Sequence, residues 1–371
     1  MTSAGATAAP AIDARTHAWA TLAHCRLPQQ DLVALLREAG DPATLVAAAR
    51  GRASCASLPA AARAAIADVR DDALAATLAW LAEPSHRLVA LDDPDYPQAL
   101  FAVGDTPPAL FAIGRVALFN APAVAIVGSR QATPQGKEDA TAFARALAAA
   151  GLTVVSGLAE GIDAAAHQGA LAEAASTIAV VGTGLDRVYP AANRRLAHAI
   201  AERGLLVSEF VPGAPPEKWH FPRRNRLISA LARGVLVLEA GVSSGSLITA
   251  RYAGDQGRSV MAVPGSIHSP LSKGCHRLIR EGATLVETAQ DVLVELGITT
   301  ASPRAAPAGA ARAVEPSHAA LLAAIGEAPV DIDRLVARTG LAVATIAAQL
   351  TAMEIDGHVA ALPGGRWQRR H

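Results

Sequence analysis

Short, almost wholly apolar runs alternate with helix-length segments over residues 123–297. Seven such runs occur, in the order AVAIVG, LTVVSG, TIAVVG, LLVSEF, GVLVLEA, SVMAVP and TLVE. Strands buried on both faces are apolar along most of their length, and intervening helices favour parallel pairing through right-handed crossovers. The pattern therefore predicts an α/β fold built on a doubly wound parallel sheet.

The regions on either side of this predicted sheet have a different pattern. Leucines at spacings of three and four, such as Leu32, Leu35 and Leu36, predict an all-helical region near the N-terminus. The C-terminal region is predicted to form three helices and a β-hairpin at Gly364 and Gly365, which is the order of a winged helix. The predicted division is a disordered tail at 1–14, a helical domain at 15–82, a proline-punctuated connector packing on the core at 83–122, an α/β domain at 123–297, a linker at 298–315 and a winged-helix domain at 316–371.

The charge of the chain is balanced, with 33 basic and 33 acidic residues among 371. Affinity for nucleic acid must therefore come from local clusters of cations. Cys25, Cys55 and Cys275 form no CxxC pair, which argues against a disulfide framework and against a structural zinc site. The N-terminus lacks a basic start followed by an apolar block, and no uncharged apolar run reaches 18 residues. We therefore expect a cytoplasmic protein without membrane insertion.

The loops that follow the predicted strands are rich in glycine and serine. In a parallel sheet these loops collect at the carboxyl edge, and ligands bind there where the strand order reverses. Small residues let the backbone approach a ligand closely, and the helices that follow present anion-binding N-termini. One such loop is a weak signal because tight turns need small residues anyway, but six on one edge favour phosphate binding. The six loops are GSRQATP, SGLAEGID, GTGLDRVYP, SEF, EAGVSSGSLITA and PGSIHSP.

The segment KWHFPRRNRLISA, residues 218–230, places four cations beside three aromatic rings. It follows a predicted strand, so we interpret its cationic part as a loop on the ligand edge that leads into a helix containing Leu227. Arginines can follow phosphates while an aromatic ring stacks on an unpaired base, so the segment fits single-stranded nucleic acid. The alternative is that Phe221 serves only as core.

Taken in order, GSR, SGLAEGIDAAAH, GTGLDRVYP, FPRRNRLIS, EAGVSSGSLITA and VPGSI resemble the DNA-processing protein A family, also called Smf. The similarity extends to DDPDYPQAL and TPPALFAIG before the predicted sheet and to the C-terminal region. It implies a Rossmann-like core, an N-terminal domain of sterile-alpha-motif type and a homodimer formed through the Rossmann-like domain. It also implies a protein that binds single-stranded DNA and loads the RecA recombinase onto it during DNA uptake, natural transformation and recombination.

The resemblance also implies a set of DNA-binding residues in a protein that is not an enzyme. No cofactor or metal is expected, because the sequence has no P-loop, no complete dinucleotide fingerprint and no metal-spaced His/Cys set. The implied residues are Arg130, Ser156, Gly157, Lys218, Phe221, Arg224, Asn225, Arg226, Ser244, Gly245 and Ser246. One departure concerns Glu160, because many relatives read GLARGID and carry an arginine there. A carboxylate at that position would repel a nearby phosphate. Either its side chain points away from the DNA or that contact is lost.

Two enzymatic alternatives and one structural alternative compete with this interpretation, whereas P-loop ATP hydrolysis and dinucleotide binding are disfavoured. No GxxxxGK[ST] P-loop occurs, and Arg187 takes the place of the third glycine of a dinucleotide fingerprint. Gly241, Ser243 and Gly245 satisfy GxSxG with His268 or His276 downstream, although serines before a helix also fit capping or phosphate contact. A nucleotide phosphoribohydrolase with Glu209 or Glu239 activating water is the second alternative, and either carboxylate could instead orient Arg226 or a loop amide. A purely structural scaffold is disfavoured by the cationic and aromatic segment.

Overall fold

The computed structural model describes residues 12–25, 27–53, 58–103, 105–298, 316–326, 329–362 and 364–370. Most of the predicted tail at 1–14 and of the predicted linker at 298–315 lies outside these residues. The first described elements are helices, as the leucine spacing predicts. They are α1 (Ala14–His24), α2 (Gln29–Ala39), α3 (Pro42–Ala49), α4 (Ala60–Ala67) and α5 (Asp71–Leu81). Their core is centred on the fully buried side chains of Trp19, Leu22, Leu45 and Ile66.

The region predicted to be a connector contributes two strands to the central sheet, which the sequence analysis did not predict. Strand β1 (His86–Ala90) pairs antiparallel with β2 (Ala109–Gly114), and β2 in turn pairs antiparallel with a strand of the α/β region. The N-terminal helices pack on these strands, and the Trp80 ring lies edge-on to Phe111 with centroids 5.8 Å apart. The connector is therefore an extension of the sheet and not only a cover for it.

Each of the seven predicted apolar runs forms a strand. They are β3 (Ala123–Gly128), β4 (Thr153–Ser156), β5 (Thr177–Val180), β6 (Leu205–Ser208), β7 (Gly234–Leu238), β8 (Ser259–Ala262) and β9 (Thr284–Leu285). All seven run parallel, and the nine-stranded sheet has the order β1-β2-β6-β5-β4-β3-β7-β8-β9. The predicted Rossmann-like, doubly wound α/β fold is confirmed.

Helices cover both faces of this sheet because its strands are apolar on both faces. Along β3, Val124 and Ile126 belong to one buried cluster, whereas Ala125 and Val127 belong to the cluster on the opposite face. The helices are α6 (Pro134–Ala149), α7 (Ile162–Ala170), α8 (Arg194–Arg203), α9 (His220–Ala230), α10 (Ser246–Asp255), α11 (Lys273–Arg280) and α12 (Ala289–Glu295). The strand order reverses between β3 and β7, so the ligand-binding crevice is expected at the ends of these two strands.

The C-terminal region has the predicted winged-helix order. Its elements are α13 (Pro316–Ile325), β10 (Val330–Asp331), α14 (Ile332–Thr339), α15 (Val343–Ile355), β11 (Val359–Leu362) and β12 (Arg366–Arg369). A small core of Leu321, Leu335, Ile346 and Leu350 joins the helices to the three-stranded sheet. In the described part of the chain no single helix is long and apolar enough to cross a membrane, and α14 and α15 reach that length only together, with a 110° bend between them.

Candidate nucleic-acid interface

The loops that follow β3 and β7 meet at the point of strand-order reversal. A Cβ atom on Gly128 would lie 1.9 Å from the carbonyl oxygen of Leu238, so only glycine permits this approach of the two strand ends. The Ser129 amide then donates a hydrogen bond to the Glu239 carbonyl at 2.7 Å. Glu239 has φ of +46°, which is uncommon for a residue with a side chain. The crevice floor is therefore fixed by backbone contacts.

A groove of about 830 Å³ opens above this floor, bounded by the two loops and by α9. We call it the switch-point groove. Eight of the eleven predicted site residues line it. They are Arg130, Lys218, Phe221, Arg224, Asn225, Ser244, Gly245 and Ser246. Of the other three, Gly157 borders a smaller adjoining cavity, whereas Ser156 and Arg226 reach neither space.

The cationic segment is helical from His220 onward, which corrects its interpretation as a loop, and Lys218 lies in the turn before the helix. Helix α9 begins at His220, whose imidazole stacks on Phe210 at 3.8 Å between centroids and bonds through Nδ1 to the Gly182 carbonyl at 3.0 Å. Residues three and four apart share a helix face, so Phe221, Arg224 and Asn225 point together toward the groove. The helix thereby sorts neighbouring residues of the segment onto different faces.

Phe221 is half-buried and presents part of its ring to the groove. One edge packs on Gly182, where an added Cβ would lie 3.1 Å from Cδ1 of the ring. The Tyr189 ring lies 5.5 Å away between centroids, and the Arg130 guanidinium lies 5.6 Å from the Phe221 centroid. Phe221 is thus neither a pure core residue nor a freely exposed one, and it offers a surface for stacking beside a cation.

Arg130 and Lys218 are the available cations of the groove. Both side chains are exposed, and neither has a hydrogen bond or an ion pair with any residue in the described part of the chain. Each can therefore pair with a phosphate without first breaking a hydrogen bond or an ion pair. Tyr189 also lines the groove, and the sequence analysis missed it. Its loop, GTGLDRVYP, was chosen for its glycines, and the tyrosine near the end of that loop could have indicated a further stacking residue.

Arg224 lines the groove but is only 4% exposed. Its Nη1 donates to the carbonyl oxygens of Gly157, at 2.7 Å, and of Val180, and its Nε donates to Asn225 Oδ1 at 3.1 Å. Burial lowers the pKa of this guanidinium to about 10, although the neighbouring Asp163 carboxylate opposes the shift. Arg224 therefore holds the ends of β4 and β5, and is less available to phosphate than its sequence position predicts.

Asp163 is buried beneath this arginine. Its Oδ2 accepts a hydrogen bond from the Gly157 amide at 3.1 Å, and a Cβ on Gly157 would lie only 2.8 Å from the same oxygen. Burial raises the pKa of Asp163, whereas the charge of Arg224 lowers it. The close packing of Asp163 and Arg224 therefore requires glycine at position 157. This packing explains the presence of Gly157 without any contact to DNA.

Ser156 and Arg226 are placed away from the groove, which departs from the predicted site. Ser156 is buried, and its Oγ donates to the Ile126 carbonyl at 2.7 Å. Arg226 is buried on the opposite face of α9, where Nη2 lies 2.6 Å from Glu209 Oε2 and 3.4 Å from Asp105 Oδ2. Arg226 follows Arg224 by only two positions, and a helix puts such residues on different faces.

The loop after β7 forms the facing wall. Ser244 and Ser246 share a hydrogen bond of 2.7 Å between their hydroxyl oxygens, and Asn225 Nδ2 donates to the Gly245 carbonyl at 3.3 Å. An added Cβ on Gly245 would meet no atom within 4 Å, so this wall is open. Helix α10 begins at Ser246, and its N-terminus favours negative charge in the groove.

A sequence model of the DNA recombination-mediator protein A family matches residues 87–297, more than half of the chain, and a DprA winged helix domain model matches residues 304–365. The chain belongs to the DNA recombination-mediator protein A family. Protein Smf of Escherichia coli strain K12 is 40% identical over 295 residues, which cover 78% of this chain and 79% of that protein. DNA processing protein DprA of Streptococcus pneumoniae is 51% identical over 203 residues, covering 55% and 72% respectively.

Solved structures of the DprA family share this fold. The X-ray structure of DprA from Streptococcus pneumoniae is 39% identical, with a TM-score of 0.65, and the match covers 76% of this chain and 98% of that one. DprA from Helicobacter pylori is 32% identical, with a TM-score of 0.52 and coverage of 57% and 95%. The latter structure is described as showing a single-stranded DNA binding mode of the Helicobacter pylori protein.

The carboxylates of the enzymatic alternative are occupied by protein contacts in this member of the DprA family. Glu239 accepts hydrogen bonds from the Thr133 amide at 2.8 Å and from the Thr133 hydroxyl at 2.6 Å, and burial raises its pKa. Glu209 is paired with Arg226. Neither carboxylate lines the switch-point groove. Each instead orients an arginine or a loop amide.

The nucleophile-elbow alternative finds little support in the described contacts. Ser243 lines the groove, but no described histidine hydrogen-bonds to it. The His276 ring bonds through Nε2 to the Gly265 carbonyl at 3.0 Å, and His268 is exposed. The GxSxG match is explained by the turn between β7 and α10.

Proposed function

We propose that the chain binds single-stranded DNA in the switch-point groove and acts in DNA processing during transformation and recombination. The observation that carries the proposal is the convergence of two unpaired cations, Arg130 and Lys218, with the partly exposed ring of Phe221 along one groove. Cations at such a site follow the backbone, and an aromatic ring stacks on any unpaired base. The single-stranded DNA binding described for the Helicobacter pylori relative supports the same ligand.

The preference for single strands follows from the half-buried position of Phe221. A ring held against Gly182 and Tyr189 cannot enter a base stack, and paired bases present no free face to it. A fluorescence-anisotropy titration of a labelled single-stranded oligonucleotide against a duplex of equal length, at several salt concentrations, tests this. We expect tighter binding of the single strand, and equal or tighter binding of the duplex would overturn the proposal.

We further propose that the chain is a binding and loading protein which delivers the strand to the RecA recombinase as a homodimer formed through its Rossmann-like domain. Family membership supports this part, together with the protein contacts that occupy Glu209 and Glu239. The test is the lag before RecA assembles on single-stranded DNA, with and without the chain. A shortened lag supports loading, and light scattering of the free chain reports whether it dimerises.

A further inference from the structure

A second, smaller cavity of about 160 Å³ adjoins the switch-point groove. Phe221 and Tyr189 border it, with their ring centroids 5.5 Å apart, and Gly157 and Arg224 border it as well. Phe221, Tyr189, Arg130 and Arg224 line both spaces, so the cavity is a side pocket of the groove. Its small volume and aromatic wall suit one planar ring system better than a stretch of backbone.

Glu160 stands at the rim of this side pocket. Its side chain is exposed and has no hydrogen-bond or ion-pair partner in the part of the chain that the structure describes. It also borders a depression over α6 and α7, so Glu160 lies between the side pocket and the outer surface of these helices. A carboxylate without a partner, beside an aromatic wall, is an acceptor available to a ligand.

The turn that carries Glu160 is fixed against the loop that carries Arg130. Gly161 has φ of +81°, and an added Cβ would lie 2.2 Å from the Ser129 carbonyl oxygen. The Ile162 amide donates to that same oxygen at 3.1 Å. The backbone on which Glu160 stands is therefore held in place, and the carboxylate reaches the same pocket as Arg130.

The chemistry of the pocket separates the bases. A carboxylate accepts a hydrogen bond from the N4 amino group of cytosine or the N6 amino group of adenine, whereas thymine presents the O4 acceptor at the equivalent edge. A phosphate would be repelled by the same carboxylate. We propose that Glu160 selects, for the base of the bound strand that lies at this pocket, a base with an exocyclic amino group over thymine. This inference rests on the proposed function.

Cytosine and thymine give the sharpest test because they are pyrimidines of similar size that differ at this edge. Affinities for oligo(dC) and oligo(dT) of equal length would be measured at pH 8, where oligo(dC) is unprotonated, with the full chain and with Glu160→Gln. We expect the native chain to bind oligo(dC) about tenfold more tightly, in line with one base-edge contact. Glutamine keeps the size of the side chain but can also donate to O4, so the preference is expected to shrink severalfold. Glu202→Gln, an exposed carboxylate at the C-terminal end of α8, is the matched control and is expected to retain it.

Each outcome separates this inference from the proposed function. Equal affinity of the native chain for both oligonucleotides would overturn the base selection and leave single-strand binding intact. A preference for oligo(dC) that persists in Glu160→Gln and in Glu160→Ala would overturn the role of Glu160. Failure to bind either oligonucleotide would overturn the proposed function and this inference with it.

Discussion

Helix α9 lies between two groups of cations, one in the switch-point groove and the other on the opposite face of the helix. On the groove side, the Arg130 and Lys218 side chains have no hydrogen bond or ion pair in the described structure, and the Arg130 guanidinium lies 5.6 Å from the centroid of the Phe221 ring. On the opposite face, which we call the paired face, Arg223 and Arg226 form ion pairs with Asp105 and Glu209. A count of basic residues treats these cations as equal, whereas only those without partners can exchange counterions for phosphate freely.

The two faces also differ in what their charges do for the fold. The side chains of Arg226 and Glu209 are 7% and 3% exposed, so their ion pair is shielded from water. Removing one partner of such a pair leaves the other charge buried and uncompensated. The paired face is therefore expected to matter for stability and the groove face for binding, and the following substitutions test that division.

The largest effect is expected from Arg226→Ala. Loss of this guanidinium removes the nearest partner of the buried Glu209 carboxylate and leaves it only Arg223, at 3.3 Å and 44% exposed. We therefore expect the free energy of unfolding to fall by about 3 kcal/mol, the lower end of the range for a broken buried ion pair. Urea denaturation followed by circular dichroism would measure the change. The matched control is Arg223→Ala, whose side chain is 44% exposed, and for which a loss below about 1 kcal/mol is expected. Similar losses for the two variants would contradict the buried character of the Arg226 pair.

Phe221→Ala is expected to weaken single-strand binding by about 1–3 kcal/mol for each stacked base that is lost. The salt dependence of binding should not change, because no charge is removed. The matched control is Trp219→Ala, which removes a larger ring from the same segment. Trp219 is 51% exposed, but it does not line the groove. We expect this control to bind normally.

Stability measurements separate stacking from packing at Phe221. A fully buried phenylalanine costs about 3–5 kcal/mol of folding stability when truncated, and a half-buried ring should cost less. If Phe221→Ala lost that full amount and also lost binding, the ring would be core and its stacking role would be wrong.

The sheet was predictable because both of its faces are covered, which forces every strand of the α/β region to be apolar. Strands β1 and β2 were not predicted, since prolines at 84, 94, 107 and 108 interrupt the region in which they lie. Strand β1 lies at the sheet edge, where polar residues such as Arg87 are tolerated. The boundary of α9 was also missed, because Pro222 and the cations suggested a loop, although proline is tolerated in the first turn of a helix.

The candidate site was predictable in its location but not in the state of each side chain. The Gly/Ser-rich loops meet at the carboxyl edge because parallel topology requires it. By contrast, whether an arginine is free depends on acidic partners that are distant in the sequence, and Asp105 lies 121 positions before Arg226. No local sequence pattern distinguishes Arg224, whose guanidinium donates hydrogen bonds at the ends of β4 and β5, from Arg130, whose side chain forms no hydrogen bond in the described structure.

A smaller effect is expected from Arg130→Ala and from Lys218→Ala. Each removes one cation that can release a counterion, so each should lower the slope of log affinity against log salt by about 0.7 for a single-stranded ligand. Titrations at four or more salt concentrations would measure the slopes. Arg203→Ala, an exposed arginine at the C-terminal end of α8, is the control and should leave the slope unchanged. An unchanged slope in Arg130→Ala would remove this residue from the interface.

The smallest effect is expected from Asp105→Asn, which tests whether pairing alone keeps the paired face out of DNA binding. Asp105 is 57% exposed and lies 3.6 Å from Arg223 and 3.4 Å from Arg226, so its loss should cost less than about 1 kcal/mol of stability. Both arginines keep Glu209 as a partner, at 3.3 Å and 2.6 Å, and the salt slope of binding should therefore stay the same. A slope that rises in Asp105→Asn would mean that Arg223 had been released to phosphate. In that case the boundary between the two faces would depend on one exposed carboxylate rather than on the orientation of helix α9.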